Sequence, residues 1–329
     1  MNNEEDEEPQ TGINFHAQKP GGQEREVRKN EYCTYRLISF ITILLINLIY
    51  TALLELIIAI NRNPLIIMNF RLTLSTQESH TVIPINYQYP LSAAIYRILA
   101  KGDSAYADFL HEQGYGKGFK LFTFSQINVP FGIVGDRLQL KSNEASLIVA
   151  FHLPQAVENF VKGLFQSERI EIADRKSKAR FTVKSIESLP NTLQSYKENE
   201  IVPVQLQVLS PVVAGLQNEK GYYDFLSPND PRFKESLIYN WRNKIASCYG
   251  EEASQNALLM LELNAYKNPP RSRLITIKAD TEQETKIRGW INFKLKATAE
   301  KRFVELLLNA GIGLYNSQGM GCLEGGGKE

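Results

Sequence analysis

The chain has 329 residues, 43% of them hydrophobic and 22% charged, with 37 Lys+Arg against 36 Asp+Glu; this is a globular composition with room for two ordinary domains. Six of the basic and nine of the acidic side chains fall in residues 1–67, which leaves 31 and 27 after them, so the body is mildly basic and permits an anionic partner without requiring one. The cysteines (Cys33, Cys248, Cys322) and histidines (His16, His80, His111, His152) are scattered, a spacing that argues against a disulfide framework or a metal site, and no cofactor is expected.

The first thirty residues are polar and begin with EEDEE; they read as disordered. Residues 37–60, LISFITILLINLIYTALLELIIAI, carry Glu55 as their one charge and are long enough to span a bilayer. Two readings compete for this 1–67 extension. One is a membrane anchor, which would make the chain a membrane-tethered α+β protein of another role. The other, which is favoured, is translated upstream sequence with the natural start at Met68 and a cytoplasmic protein. Its support is that a self-sufficient domain begins there: MNFRLTLS is a first strand with Phe70, Leu72 and Leu74 on one face.

From there the pattern runs on regularly. Pro90 suits a first helical turn, and Leu91, Ala94, Ile95, Ile98 and Leu99 recur at helical spacing up to Gly102. Asp103 or Ser104 caps a second, short helix with Tyr106, Phe109 and Leu110 as its buried stripe. FKLFTFSQI and SLIVAFHL read as strands, residues 154–165 as an amphipathic helix, and RIEIA and ARFTVKSIESL as a hairpin around DRKSK. The order is β-α-β-β-α-β, the ferredoxin-like (RRM-like) plan, over residues 68–195. A second module of the same α+β plan occupies 200–329: the strand IVPVQLQVLS, a helix over 231–249, the strands LLMLELNAY, RLITIKA and GWINFKLKA, and a helix over 299–310.

The chain closes on GIGLYNSQGMG, residues 311–321, two Gly-x-Gly pairs five residues apart. Glycine used this densely means φ > 0 or a close backbone approach. A nucleotide P-loop would need Lys-Ser/Thr after the glycines and a following helix; here the helix precedes. What remains is a turn into a last strand, or a loop whose glycines lie flush on a phosphodiester backbone.

Gly311-Ile312-Gly313 and Gly319-Met320-Gly321 at the end of a tandem ferredoxin-like chain closely resemble the signature of the Cas-six family, the CRISPR-repeat-processing endoribonucleases of the RAMP superfamily. The runs PINYQYPLSAAIYRI, FLHEQGY and FKLFTFS are similar to that family as well. The resemblance covers about residues 68–324. It implies metal-independent cleavage of CRISPR repeat RNA: the ribose 2′-OH attacks the adjacent phosphorus, leaving a 2′,3′-cyclic phosphate and a 5′-OH. It also implies repeat RNA as partner, with other Cas proteins or a second copy of the chain as further ones. A RAMP that binds repeat RNA without cutting it, as a subunit of an interference complex, is the alternative.

Carried onto this sequence, the resemblance makes His111 the acid–base residue, Tyr96 a group that positions the 2′-OH or phosphate, and Lys120 the cation for the pentavalent phosphate. An imidazole titrates near neutrality and serves in either direction; Asp108, three residues back on the same helical face, is a possible partner. For RNA binding, the four glycines join Arg169, Arg175, Lys176, Lys178, Arg180 and Lys184, concentrated on one hairpin. Arg271, Arg273, Lys286, Arg288, Lys294 and Lys296 are weaker candidates.

Overall fold

In the computed structural model residues 69–78, 80–264, 268–279 and 281–326 are described; the readings made for residues 1–67 and for the start at Met68 lie outside them. The described residues all belong to one compact unit, Asn63–Glu329. Among them no helix is long and apolar enough to cross a membrane.

The first strand, β1 (Asn69–Ser75), alternates as its sequence demands, and Phe70, Leu72 and Leu74 are completely buried. The short β2 (Val82–Pro84) leads to α1 (Gln88–Gly102), whose apolar stripe (Leu91, Ile95, Ile98, Leu99) covers the sheet. Asp103 then caps α2 (Ser104–Glu112): its side chain accepts from the backbone N–H of Tyr106 at 3.0 Å. After β3 (Phe122–Phe124), a hairpin of β4 (Phe131–Val134) and β5 (Arg137–Leu140), and β6 (Glu144–Phe151) comes α3 (Pro154–Gln166), followed by β7 (Arg169–Ala173) and β8 (Lys178–Leu189). The sheet order is β3-β6-β1-β8-β7, antiparallel throughout. Without the added edge strand β7 this is the ferredoxin-like order. Fully burying each large apolar side chain stabilises by about 1.5–3 kcal/mol.

The second sheet repeats the plan. Strand β9 (Ile201–Val208), a hairpin of β10 (Ala214–Gln217) and β11 (Tyr223–Leu226), α4 (Arg232–Tyr249), the short α5 (Glu251–Asn256), β12 (Met260–Leu263), a hairpin of β13 (Arg271–Ile277) and β14 (Thr285–Ile291), β15 (Lys294–Glu300), α6 (Lys301–Ala310) and β16 (Leu323–Gly325) follow in turn. The order β12-β15-β9-β16 is again ferredoxin-like, with the two hairpins as insertions. Trp241 of α4 and Phe303 of α6 are fully buried, and the Trp241 indole donates to the Phe303 carbonyl at 2.9 Å.

Two strand readings need correction. FKLFTFSQI is a strand over Phe122–Phe124 alone, because Leu121 turns into the left-handed region (φ 52°); Lys120 therefore stands in the connecting loop and not at a strand start. GWINFKLKA is broken at Asn292 (φ 65°) between β14 and β15, a conformation asparagine tolerates better than most residues. The three-stranded sheet β2-β5-β4 has no counterpart in the periodicity reading, since its strands are only three or four residues long.

Candidate active site

A row of rings leads from the first core to the surface. Phe70 and Phe160 are 6.4 Å apart, Phe160 and Phe151 4.9 Å, Phe151 and Phe122 5.6 Å, and Phe122 and Tyr96 5.4 Å. Tyr96 ends this row on α1 and meets the exposed His111 of α2 edge-on, 5.2 Å between centroids and 82° between planes. From the loop before β3, the Lys120 ammonium donates to the His111 carbonyl at 2.9 Å. The three residues singled out in the sequence thus come together from two helices and a loop. Among the described residues no hydrogen bond joins Asp108 to His111; the neighbour of the imidazole is the Tyr96 ring.

The environment separates their chemistry. Burial pushes the Tyr96 phenol up to about 12, only partly offset by the nearby Ser317 side chain. At neutral pH it is therefore a neutral hydroxyl, able to position but not to serve as a base. Partial burial lowers the Lys120 ammonium from its ordinary value. His111, exposed at the end of α2, is open to a substrate.

Ser317 belongs to the glycine stretch, which reaches this site from the other module. It forms a 3-10 turn, Asn316–Gln318, against α1: the Ser92 hydroxyl donates to the Ser317 carbonyl at 2.6 Å, and the Thr123 hydroxyl to the Met320 carbonyl at 3.0 Å. All four glycines have positive φ (79°, 72°, 81° and 66°) and are buried. What they lie flush against is protein. A Cβ on Gly319 would stand 2.4 Å from the Phe124 ring, and one on Gly321 1.9 Å from the Ile312 carbonyl oxygen. The half-buried face of the loop is Leu314 to Gln318.

One residue here escaped the sequence reading. Lys244 of α4 is 1% exposed, and its ammonium donates to the Gly311 carbonyl (2.6 Å), to Asn316 Oδ1 (2.6 Å) and, more loosely, to the Gly313 carbonyl (3.4 Å). Burial brings it down to about 7. A signal existed: Leu237, Trp241, Lys244 and Ile245 fall on one helical stripe, so a lysine stands where the spacing asks for an apolar residue.

The basic hairpin is real but its charges have partners. Lys178 and Arg180 meet Glu171 at 2.8 and 3.5 Å, Lys184 meets Glu144 at 2.5 Å, and Lys176 meets Asp136 at 2.9 Å; Arg169 is exposed at the start of β7. Beside the hairpin tip opens a cleft of about 740 Å³ lined by Arg97, Arg137, Arg175 and Lys278, with Asp174 and Glu282 among them. Of the weaker candidates, Arg273 is engaged by residues near β2: it donates to the Ile85 carbonyl at 2.7 Å and lies over the Tyr87 ring. Among the described residues no group of three or more His, Cys, Asp or Glu is arranged as metal ligands.

Two family descriptions match the chain, "CRISPR-associated protein Cas6, N-terminal" over residues 82–187 and "CRISPR associated protein Cas6, C-terminal" over residues 194–325. The curated CRISPR-associated endoribonuclease Cas6 1 of Methanocaldococcus jannaschii is 28% identical over 260 residues, 78% of this chain and 92% of that protein. Among solved structures, the product of a Cas6-related gene from Pyrococcus furiosus superposes with a TM-score of 0.65 at 19% identity, covering 80% of this chain and 99% of the other. A RAMP protein described as binding different RNA substrates gives a TM-score of 0.64 at 17% identity, covering 78% and 99%; both likenesses speak to the fold. The tandem ferredoxin-like order, the paired Gly-x-Gly loop and matches over both halves lead to one conclusion: the chain belongs to the Cas6 family of CRISPR-associated proteins.

Proposed function

We propose that this protein is an endoribonuclease that cuts CRISPR repeat RNA to release CRISPR RNA, by attack of a ribose 2′-OH on the adjacent phosphorus. Family membership and the Methanocaldococcus jannaschii relative support the activity. The observation that carries the mechanism is the cluster of Tyr96, His111 and Lys120 beside the Ser317 turn. In this reading residues 68–195 form the domain with the reacting groups and residues 200–329 the domain that brings the glycine loop to them.

Cleavage transfers the 2′-OH proton away, forms a bond from O2′ to phosphorus, breaks the bond from phosphorus to O5′ and gives O5′ a proton. No water and no redox partner enter, so the atoms balance between one RNA strand and two products. His111 handles protons, since an imidazole ring carries nitrogens that can accept one proton and donate one. Lys120, held on the His111 carbonyl, offers its ammonium to the charge that grows on the phosphorane oxygens. Tyr96, neutral and fixed by its ring neighbours, donates a hydrogen bond to the 2′-OH or the phosphate. The glycine loop shapes the site, and the RNA meets its half-buried face, Leu314 to Gln318, together with Arg169, Arg175, Lys176, Lys178, Arg180 and Lys184 of the hairpin.

The test is single-turnover cleavage of the chain's own repeat RNA with and without EDTA. His111→Ala is expected to slow cleavage about 10²–10⁴-fold while repeat RNA still binds, with no effect of EDTA on the wild type. Binding without cleavage by the wild-type protein would favour a non-catalytic RAMP subunit. Cleavage by His111→Ala at the wild-type rate would refute the assignment of His111.

A further inference from the structure

The glycine loop is held from beneath by a buried cation that none of the chemistry above uses. Lys244 offers its ammonium hydrogens to the Gly311 carbonyl, the Gly313 carbonyl and Asn316 Oδ1, so its acceptors among the described residues all lie in the loop. Gly311 also terminates α6, its N–H returning to the Leu307 carbonyl, and the carbonyl end of a helix favours a cation. The other half of the Asn316 amide spans the loop. Its Nδ2 donates to the Ile312 and Met320 carbonyls, both at 3.0 Å, the middle residues of the two Gly-x-Gly pairs. One side chain therefore ties both arms together and hands its remaining oxygen to Lys244.

The next residue is Ser317, whose carbonyl accepts from the Ser92 hydroxyl of α1; Tyr96 stands one helical turn after Ser92 on the same face, and the Tyr96 ring abuts His111. A path thus runs from the middle of α4 to the imidazole: Lys244 to Asn316, Ser317 to Ser92, one turn along α1 to Tyr96, and from its ring to His111. Among the described residues Lys244 forms no ion pair, and a buried lysine without one costs stability unless its hydrogens are satisfied. An apolar residue would fill the stripe on α4 but would leave Asn316 Oδ1 and the Gly311 carbonyl without a donor, so the loop would have to relax toward other partners.

We propose that Lys244 is a positioning residue of the cleavage site: through Asn316 it sets the glycine loop so that Ser317, bonded to Ser92, fixes the face of α1 that holds Tyr96 in register with His111. The inference rests on the cleavage reading for its kinetic consequence, but the geometric part can be tested apart from it.

Lys244→Met keeps the length of the side chain and removes the donors. In the full chain we expect single-turnover cleavage at saturating protein to fall at least tenfold. The Kd for repeat RNA carrying a 2′-deoxy sugar at the scissile position should change less than threefold. Asn316→Ala, which cuts the same path at a half-buried position, should show the same split, and the double variant should be no slower than the slower single one. If Lys244→Met does not fold, Asn316→Ala decides by the same criteria. A second readout is the His111 imidazole signal in protein with labelled histidine, which senses the ring current of Tyr96; it should shift in both variants. A rate within twofold of wild type, rate and affinity falling together, or an unmoved His111 signal would each overturn the proposal. Wild-type protein that fails to cleave would instead sink the cleavage reading, and the His111 signal alone would then judge Lys244.

Discussion

Replacing Gly319 by alanine adds one methyl group at a point where the structure leaves no room for it. The backbone there has φ 81°, in the left-handed region, and the new carbon would stand 2.4, 2.7 and 3.1 Å from three carbons of the Phe124 ring. Ordinary carbon contacts are about 3.5–4.0 Å. Phe124 is fully buried on β3 and cannot swing aside without disturbing the first core. The backbone conformation costs a residue with a Cβ about 1–2 kcal/mol, and overpacking in a rigid surrounding about 1–3 kcal/mol more. Gly319→Ala should therefore destabilise the chain by about 2–5 kcal/mol, a large share of a domain's total of about 5–15 kcal/mol. Gly135 supplies the control: it too has positive φ (58°), but a Cβ there meets nothing within 4 Å. Its replacement by alanine should cost only the backbone contribution, about 1–2 kcal/mol. Denaturant unfolding of both variants, compared at equal m-value, measures the difference. If Gly319→Ala proves no worse than Gly135→Ala, the claim that this glycine is required by packing on Phe124 is wrong.

Three further outcomes follow from the same contacts. His152 is 6% exposed, and burial lowers its imidazole to about 4. Between pH 6.5 and 4 the unfolded chain takes up a proton there that the folded chain refuses, so this contribution to stability is complete above pH 6.5 and is lost as pH falls toward 4. The loss is about 3 kcal/mol; unfolding titrations at pH 7.5 and 4.5 should show it in the wild type and a smaller fall in His152→Leu. In the hairpin, Glu171 occupies Lys178 and Arg180. Glu171→Gln should tighten repeat-RNA binding at low salt, while reversing both cations to Glu should flatten the slope of log K against log salt by about 1.4 if the bound strand is single; an unchanged slope would remove those two residues from the RNA contact. Tyr96→Phe keeps the ring against His111 and Phe122 but deletes the hydroxyl, so cleavage should slow with little change in melting temperature. A wild-type rate would show that the ring, and not the hydroxyl, is what matters.

The elements whose residues repeat with a clear period were legible in the sequence. β1 alternates, α1 and α3 carry their apolar stripes, and Asp103 caps α2, because the period of a strand or helix is written directly into its burial. The short strands β2, β4, β5, β10 and β11 were not, since three or four residues hold too few repeats to show a period. Tyr96, His111 and Lys120 came from motif likeness; that their side chains gather is a property of packing. The paired charges of the hairpin were also invisible: Glu144 lies 40 residues from Lys184, and Asp136 40 from Lys176.

The sequence by itself determined the alternation of strands and helices, the doubled ferredoxin-like plan and the need for glycine at 311, 313, 319 and 321, because local backbone geometry and periodic burial depend on nearby residues. The tertiary structure decided what those glycines approach and what holds them there. Phe124 lies 195 positions before Gly319, and Lys244 lies 72 before Asn316. Contacts at such separations follow from how the two sheets and their helices pack, and no local pattern encodes them. The same packing brings Ser317 onto the helix that carries Tyr96, and so carries the loop from the second half of the chain to the residues of the first.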